Sequence, residues 1–200
     1  MASESTHSPG AGAVDPRVLR SRAAALAAAR AILLEDGWEA VTHVAVAARG
    51  GIGRTTLYRH WPDTIALLRD VLREQMEIDH TVPTGVLRDD LTSELDVLRG
   101  QLHRPPLERT MRAVIERAPT HPAYGELKEF LYQEGSRVLG EIVRSAVARG
   151  ELDARLDPSR AVDQLAGPLI YRRLLAGQTF TAAYVHDLVD DFLRAHRPRS

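Results

Sequence analysis

From Pro16 onward the apolar residues of this chain recur every three or four positions, and no stretch alternates apolar with polar for long enough to make a half-buried strand. Such a pattern builds helices. In the first periodic segment, Arg17 to Asp36, Leu26, Ala29, Ile32 and Leu33 fall on one stripe. Gly37 ends it, because a residue without Cβ takes the left-handed conformation cheaply. Thr42 is a good N-cap for a short second helix to about Arg49, which Gly50 and Gly51 break. A third runs from Gly53 or Arg54 to about His60, and Pro62 with Asp63 opens a fourth to about His80. Five more helical segments follow: Leu87 to Leu102, Pro105 to Arg117, Pro122 to Arg149, Pro158 to Ala176 and Ala182 to Ala195, with Pro or Gly at the breaks. The expected fold is all-α, with about nine helices and no internal repeat, and Pro168 is expected to kink the eighth.

Two hundred residues, 44% hydrophobic and 26% charged, can bury one good core and a small second one. With no cysteine, a disulfide scaffold, a thiolate metal site and a cysteine nucleophile are excluded. Residues 1–16 are small, polar and punctuated by Pro and Gly, which predicts a flexible arm. They lack the basic-then-apolar order of a leader, and nothing reaches the roughly 18 uninterrupted apolar residues of a spanning helix, so the expectation is a cytoplasmic protein with no membrane partner. No nucleophile elbow, HExxH, phosphate loop or dinucleotide fingerprint is present, since GGIG lies between short helices rather than after a strand. The chain does not read as an enzyme, and no cofactor is implied. Its formal net charge of -1 conceals an uneven distribution. From Arg17 to Pro62 seven arginines face three acids, a net of +4, while the remainder from Asp63 onward is acidic. A basic front and an acidic rear suggest two parts with different partners.

The most informative stretch is VTHVAVAARGGIGRTTLYRHWPDTIALL, Val41 to Leu68. Two helices of about two turns, joined through a short glycine-containing break, have the spacing of a helix-turn-helix. Val46, Ile52 and Leu57 supply the contacts between them, Ala47 is small where they approach, and Gly51 sits where a positive φ is required. With Trp61, those apolar residues are core whatever the domain does.

Taken with the preceding LAAARAILLEDGWEAVT and the following IALL, the run VAARGGIGRTTLYRHWP resembles the DNA-binding domain of the TetR family of bacterial transcription regulators, over about residues 20 to 70. The resemblance implies a helix-turn-helix domain over residues 17–68 and a helical ligand-binding and dimerisation domain over 69–200. It implies that Arg54, Thr55 and Thr56 open a recognition helix whose first residues meet base edges in the major groove. Tyr58 and His60 would bond phosphates, Arg59 would add charge, and Thr42 would bring the N-terminus of its helix to a phosphate. Arg17, Arg20 and Arg22 could reach the backbone or the minor groove. Thr55 and Thr56 fit equally as plain surface residues, and Tyr58 as a packed aromatic. Two positions depart from the family pattern: Gly50 stands where alanine is usual, and Thr64 where lysine is usual, which removes one phosphate charge.

Beyond residue 70 the resemblance is one of general plan, although LAGPLIYRRLLAG looks like a segment recurring in one subgroup. One recognition helix sees few base pairs, so a homodimer on a pseudopalindromic operator is expected. Candidate interface residues are Leu165, Leu169, Leu174, Tyr184, Leu188 and Phe192, with Tyr171 to Leu175 and Leu193; a purely intramolecular core is the other reading. A small-molecule effector could contact Met76, His80, Met111, Ile115, Tyr124, Phe130, Leu131 and Tyr132, though a helical core has the same composition. His80 and His186, each near a carboxylate, are solvated surface more readily than metal ligands, and no metal is expected. The leading function is a dimeric DNA-binding regulator, a repressor released by a ligand. The alternative is an architectural or protein-interaction module that does not discriminate DNA sequence.

Overall fold

The computed structural model describes residues 16–198; the arm expected at the start lies outside them except for Pro16, which opens α1. Every regular element among the described residues is helical: α1 (Pro16–Asp36), α2 (His43–Gly50), α3 (Arg54–His60), α4 (Thr64–Asp79), α5 (Leu87–Leu102), α6 (Pro105–Arg117), α7 (Pro122–Ala148), α8 (Pro158–Ile170) and α9 (Ala182–Ala195). One 3-10 turn, Trp38–Ala40, follows α1. The expected bounds agree to within a residue or so except in α8. There the α-helical ladder stops at Ile170 and widens into a π turn, Tyr171–Leu175, closed by Ala176 N–H donating to Tyr171 O at 2.9 Å.

Local chemistry accounts for the ends. Asp63 caps α4 by accepting from Ala66 N at 2.8 Å, and Asp157 caps α8 from Ser159 N at 3.2 Å. Proline, whose missing N–H costs nothing in a first turn, opens α6, α7 and α8. At the end of α1, Gly37 takes φ 92°, and Arg109 of α6 donates from Nη2 to the Asp36 carbonyl at 3.2 Å.

Two buried clusters organise the chain. The first gathers α1 to α4, from Leu26 and Leu33 to Leu67 and Val71, and takes in Leu107 and Val114 of α6 with Tyr124 and Leu127 of α7. The second gathers α5, the later half of α7, α8 and α9. Helix α7 therefore runs through both. Leu165 and Leu169, each fully buried, and Phe192 belong to this second cluster, because α8 packs on α5 and α7 and α9 packs on α5. That corrects their expected place at a subunit interface. Leu174, Tyr184 and Leu188 are only half-buried at its edge.

Buried carboxylates of α5 pin the loop that follows α4. Burial pushes the Asp90 carboxyl up, but hydrogen bonds from Thr84 Oγ1 at 2.7 Å, Thr84 N at 2.6 Å and Gly85 N at 2.9 Å outweigh it and hold its pKa below the ordinary value. Glu94 takes the His80 Nδ1 contact and accepts from Thr81 N at 3.2 Å. The π turn is fastened in a similar way. Arg112 donates to Glu108 and to the carbonyls of Arg173 and Leu174, while Arg173 donates to Leu102 O at 3.1 Å and to Glu108.

Candidate nucleic-acid interface and interior cavity

The interface is assembled by short-range devices. Thr42, extended at φ -117°, accepts from Ala45 N at 3.1 Å through its hydroxyl and so caps α2, leaving the hydroxyl proton to donate outward. Gly51 adopts the left-handed conformation, φ 63° and ψ 34°, and Ile52 N–H donates to Ala47 O at 3.1 Å, which turns the chain into α3. Leu57, 1% exposed, anchors α3 inward. Arg54, Thr55, Tyr58 and Arg59 are exposed on the outside, and Thr56 is half-buried.

A residue that sequence reasoning missed holds this arrangement. His43, the first residue of α2, is 6% exposed, and because a carbonyl only accepts, its Nε2 donates to Trp61 O at 2.8 Å. Its ring stacks on Tyr58, centroids 4.3 Å apart and planes 15° apart. The bond spans 18 positions, so nothing local announces it. Trp61 is buried and donates from Nε1 to Asp70 Oδ2 at 3.0 Å, the oxygen to which Arg22 Nη2 donates at 2.7 Å.

Charge around the motif is sorted by these pairings. Arg22, expected to reach DNA, is instead committed to Asp70 and lies over Trp61. Arg49 makes two 2.6 Å bonds to Glu35; these hold the Glu35 carboxyl below its ordinary pKa and raise that of Arg49. By contrast no carboxylate among the described residues pairs with Arg20, Arg54 or Arg59. His60, expected to bond a phosphate, is turned inward: it is half-buried, its Nε2 is enclosed without a partner, and its ring tilts against Trp61.

Behind the motif, α4, α5, α6, α7 and α8 line a mainly apolar cavity of about 250 Å³ that opens to solvent beside Tyr132, Asp163 and Ile170, which are exposed. Met76, Met111, Leu131 and Tyr132 line it as expected. Four expected contacts do not. His80 faces Glu94 in the α4–α5 junction, and Ile115 points to solvent, 51% exposed. Tyr124 meets Trp38 edge-on at 5.7 Å within the first core, and Phe130 packs against that core beneath Arg73. The polar lining, Gln75, Gln101, Thr110, Ser136 and Asp163, went unpredicted, since isolated polar residues on amphipathic helices carry no sign of facing a void.

Comparison with known proteins agrees with this geometry. The family model described as bacterial regulatory proteins, tetR family, matches residues 25–71, and that described as tetracyclin repressor-like, C-terminal domain, matches 81–192. An HTH-type transcriptional regulator of Mycobacterium tuberculosis, Rv1556, is 29% identical over 177 residues, 88% of this chain and 87% of its own. The DNA-binding transcriptional repressor TetR of Mycobacteroides abscessus is 29% identical over 175 residues, 86% of this chain and 90% of its own. The crystal structure of the TetR family transcription regulator SCO0332 superposes with a TM-score of 0.78 at 30% identity, over 90% of this chain and all of that one. No helix among the described residues is long and apolar enough to cross a membrane. The outward face of α3, the bend at Gly51 and the two family matches agree: this chain belongs to the TetR family of DNA-binding transcriptional regulators, and is not an enzyme.

Proposed function

We propose that this regulator acts as a homodimeric repressor, with α3 of each copy in the major groove of a pseudopalindromic operator, released when a small molecule enters the cavity. The observation that carries this is the division of α3: Leu57 turned in, and Arg54, Thr55, Tyr58 and Arg59 turned out with both arginines free of ion pairs among the described residues. Arg54 and Thr55 open the helix, where side chains meet base edges. Tyr58 and Arg59 bond phosphates, as does the Thr42 hydroxyl at the start of α2. Repression takes support from the M. abscessus relative, described as a repressor.

The domain division is 17–68 for DNA and 69–200 for ligand and dimer. The seam between them favours a ligand response. Helix α6 puts Leu107, Thr110 and Met111 on the cavity, while Arg109 grips the end of α1 and Arg112 the π turn. A ligand that binds better to one setting of α6 than to another shifts the spacing of the two α3 helices by that difference in affinity. For the dimer, the support is a set of exposed apolar residues at the end of α8: Ile170, Tyr171 and Leu175, the last 75% exposed.

The experiment is selection of a DNA site from a random pool, then titration of that site over a range of salt. A palindromic site bound about a thousandfold above random DNA is expected. The slope of log K against log salt should flatten by about two units per dimer, one for each copy, when Arg59 is replaced by alanine. No preference over random DNA would favour the architectural alternative.

A further inference from the structure

We infer that the cavity takes a small apolar amine, an inference that rests on the reading of the cavity as the effector site. Gln75 of α4 and Gln101 of α5 both line it. Both turn their amide nitrogens to one carboxylate, Asp79, at 2.8 and 3.1 Å. A carboxylate only accepts, so this shared partner decides which end of each amide is which. The carbonyl oxygens are what remain, and no donor among the described residues bonds either of them. Thr110 has the same bias: its hydroxyl proton goes to Pro106 O at 2.8 Å, leaving lone pairs. The hydroxyls of Ser136 and Tyr132 serve in either role.

Charge points the same way. Among the lining residues Asp163 is a carboxylate, and none is arginine, lysine or histidine. An anionic ligand would give up its water here and meet acceptors and another negative charge. An ammonium group finds acceptors for its N–H groups and a counter-charge at Asp163. The rest of the wall, leucine, methionine and isoleucine, suits an apolar body. At about 250 Å³ the cavity is smaller than the usual range for drug-sized ligands, roughly 300–1,000 Å³, so one ring and a short chain fill it.

The test uses the full chain and three probes on one skeleton: phenylpropylamine, phenylpropanol and phenylpropionate, measured by calorimetry at neutral pH. The amine is expected to bind about tenfold tighter than the alcohol, with the acid weakest. Asp163 is exposed on α8, so Asp163→Asn should keep the wild-type melting temperature, bring the amine close to the alcohol, and leave the alcohol unchanged. An amine no tighter than the alcohol or the acid overturns the inference while the effector site stands; an amine preference that survives Asp163→Asn overturns the place of Asp163 in it and leaves the amide and hydroxyl acceptors to carry the preference. If none of the three binds, the inference falls, while the effector-site reading stands, because one skeleton does not represent every small molecule the cavity could take.

Discussion

Gly50 and Gly51 are neighbours, and each favours glycine for a different reason. At Gly51 there is open space around the position a Cβ would take, and the obstacle is the backbone, with φ 63°. At Gly50 the backbone is helical and the obstacle is crowding: a Cβ would come within 2.9 Å of Ile52 Cδ1, the movable tip of a side chain two residues on, and within 3.3 Å of the Ala24 carbonyl and 3.4 Å of Ala28 Cβ on α1. The departure from the family's alanine thus reflects how closely α1 and α2 approach in this chain. Asparagine visits the left-handed region more readily than alanine. Thermal melting should therefore rank Gly51→Asn above Gly51→Ala, the latter losing about 1–2 kcal/mol. At Gly50 the order reverses, with asparagine worse than alanine because it is larger. The need for positive φ at Gly51 was legible from the helix-turn-helix spacing. The crowding at Gly50 was not, because Ala24 and Ala28, which set it together with Ile52, lie on another helix. His43 was hidden for the same reason, since its partner Trp61 arrives only when α3 has folded back.

Among the elements, α4 is the one whose end meets both parts of the molecule. Its first residues sit beside the motif, and past its last residue, Asp79, His80 is held against Glu94 of α5. The hydrogen bond with Glu94 outweighs burial and raises the His80 pKa above its ordinary value. A histidine whose pKa is higher in the folded chain adds stability that is complete below the unfolded value, about 6.5, and is lost as pH rises through the folded value. The wild-type chain should therefore out-melt a His80→Gln variant at about pH 6, with the gap narrowing steadily toward about pH 9. A gap that stays constant or widens over that range would remove the charged pair from the account of this junction. The helices themselves were legible in period and breaker, as in α5, α6 and α9, whose bounds are those expected. The π turn was not. Proline at 168 signalled a disturbance in α8, but carbonyls gripped by Arg112 of a different helix mark where the ladder opens.

For the whole molecule, the open question of assembly comes down to which apolar residues the monomer leaves uncovered. Leu175 and Tyr171 are exposed, on a π turn held rigid by Arg112 and Arg173. Leu175→Glu should leave helicity unchanged, convert a dimer into a monomer in light scattering, and weaken binding to a palindromic site by more than an order of magnitude, because two half-sites no longer act together. A variant that remains dimeric would move the interface elsewhere. The sequence alone determined that this chain is helical, where most helices start and stop, and that residues 41–68 have the spacing of a helix-turn-helix whose second helix bears arginines. Those properties depend on residues a few positions apart, which periodicity and capping report directly. Tertiary structure alone decided that Leu165, Leu169 and Phe192 close a core while Leu175 faces out, that Arg22 is spent on Asp70, and that polar residues from α4, α5, α6, α7 and α8 share one cavity. Amphipathic helices offer the same apolar stripe to a core, a partner or a ligand, and only their packing selects among the three.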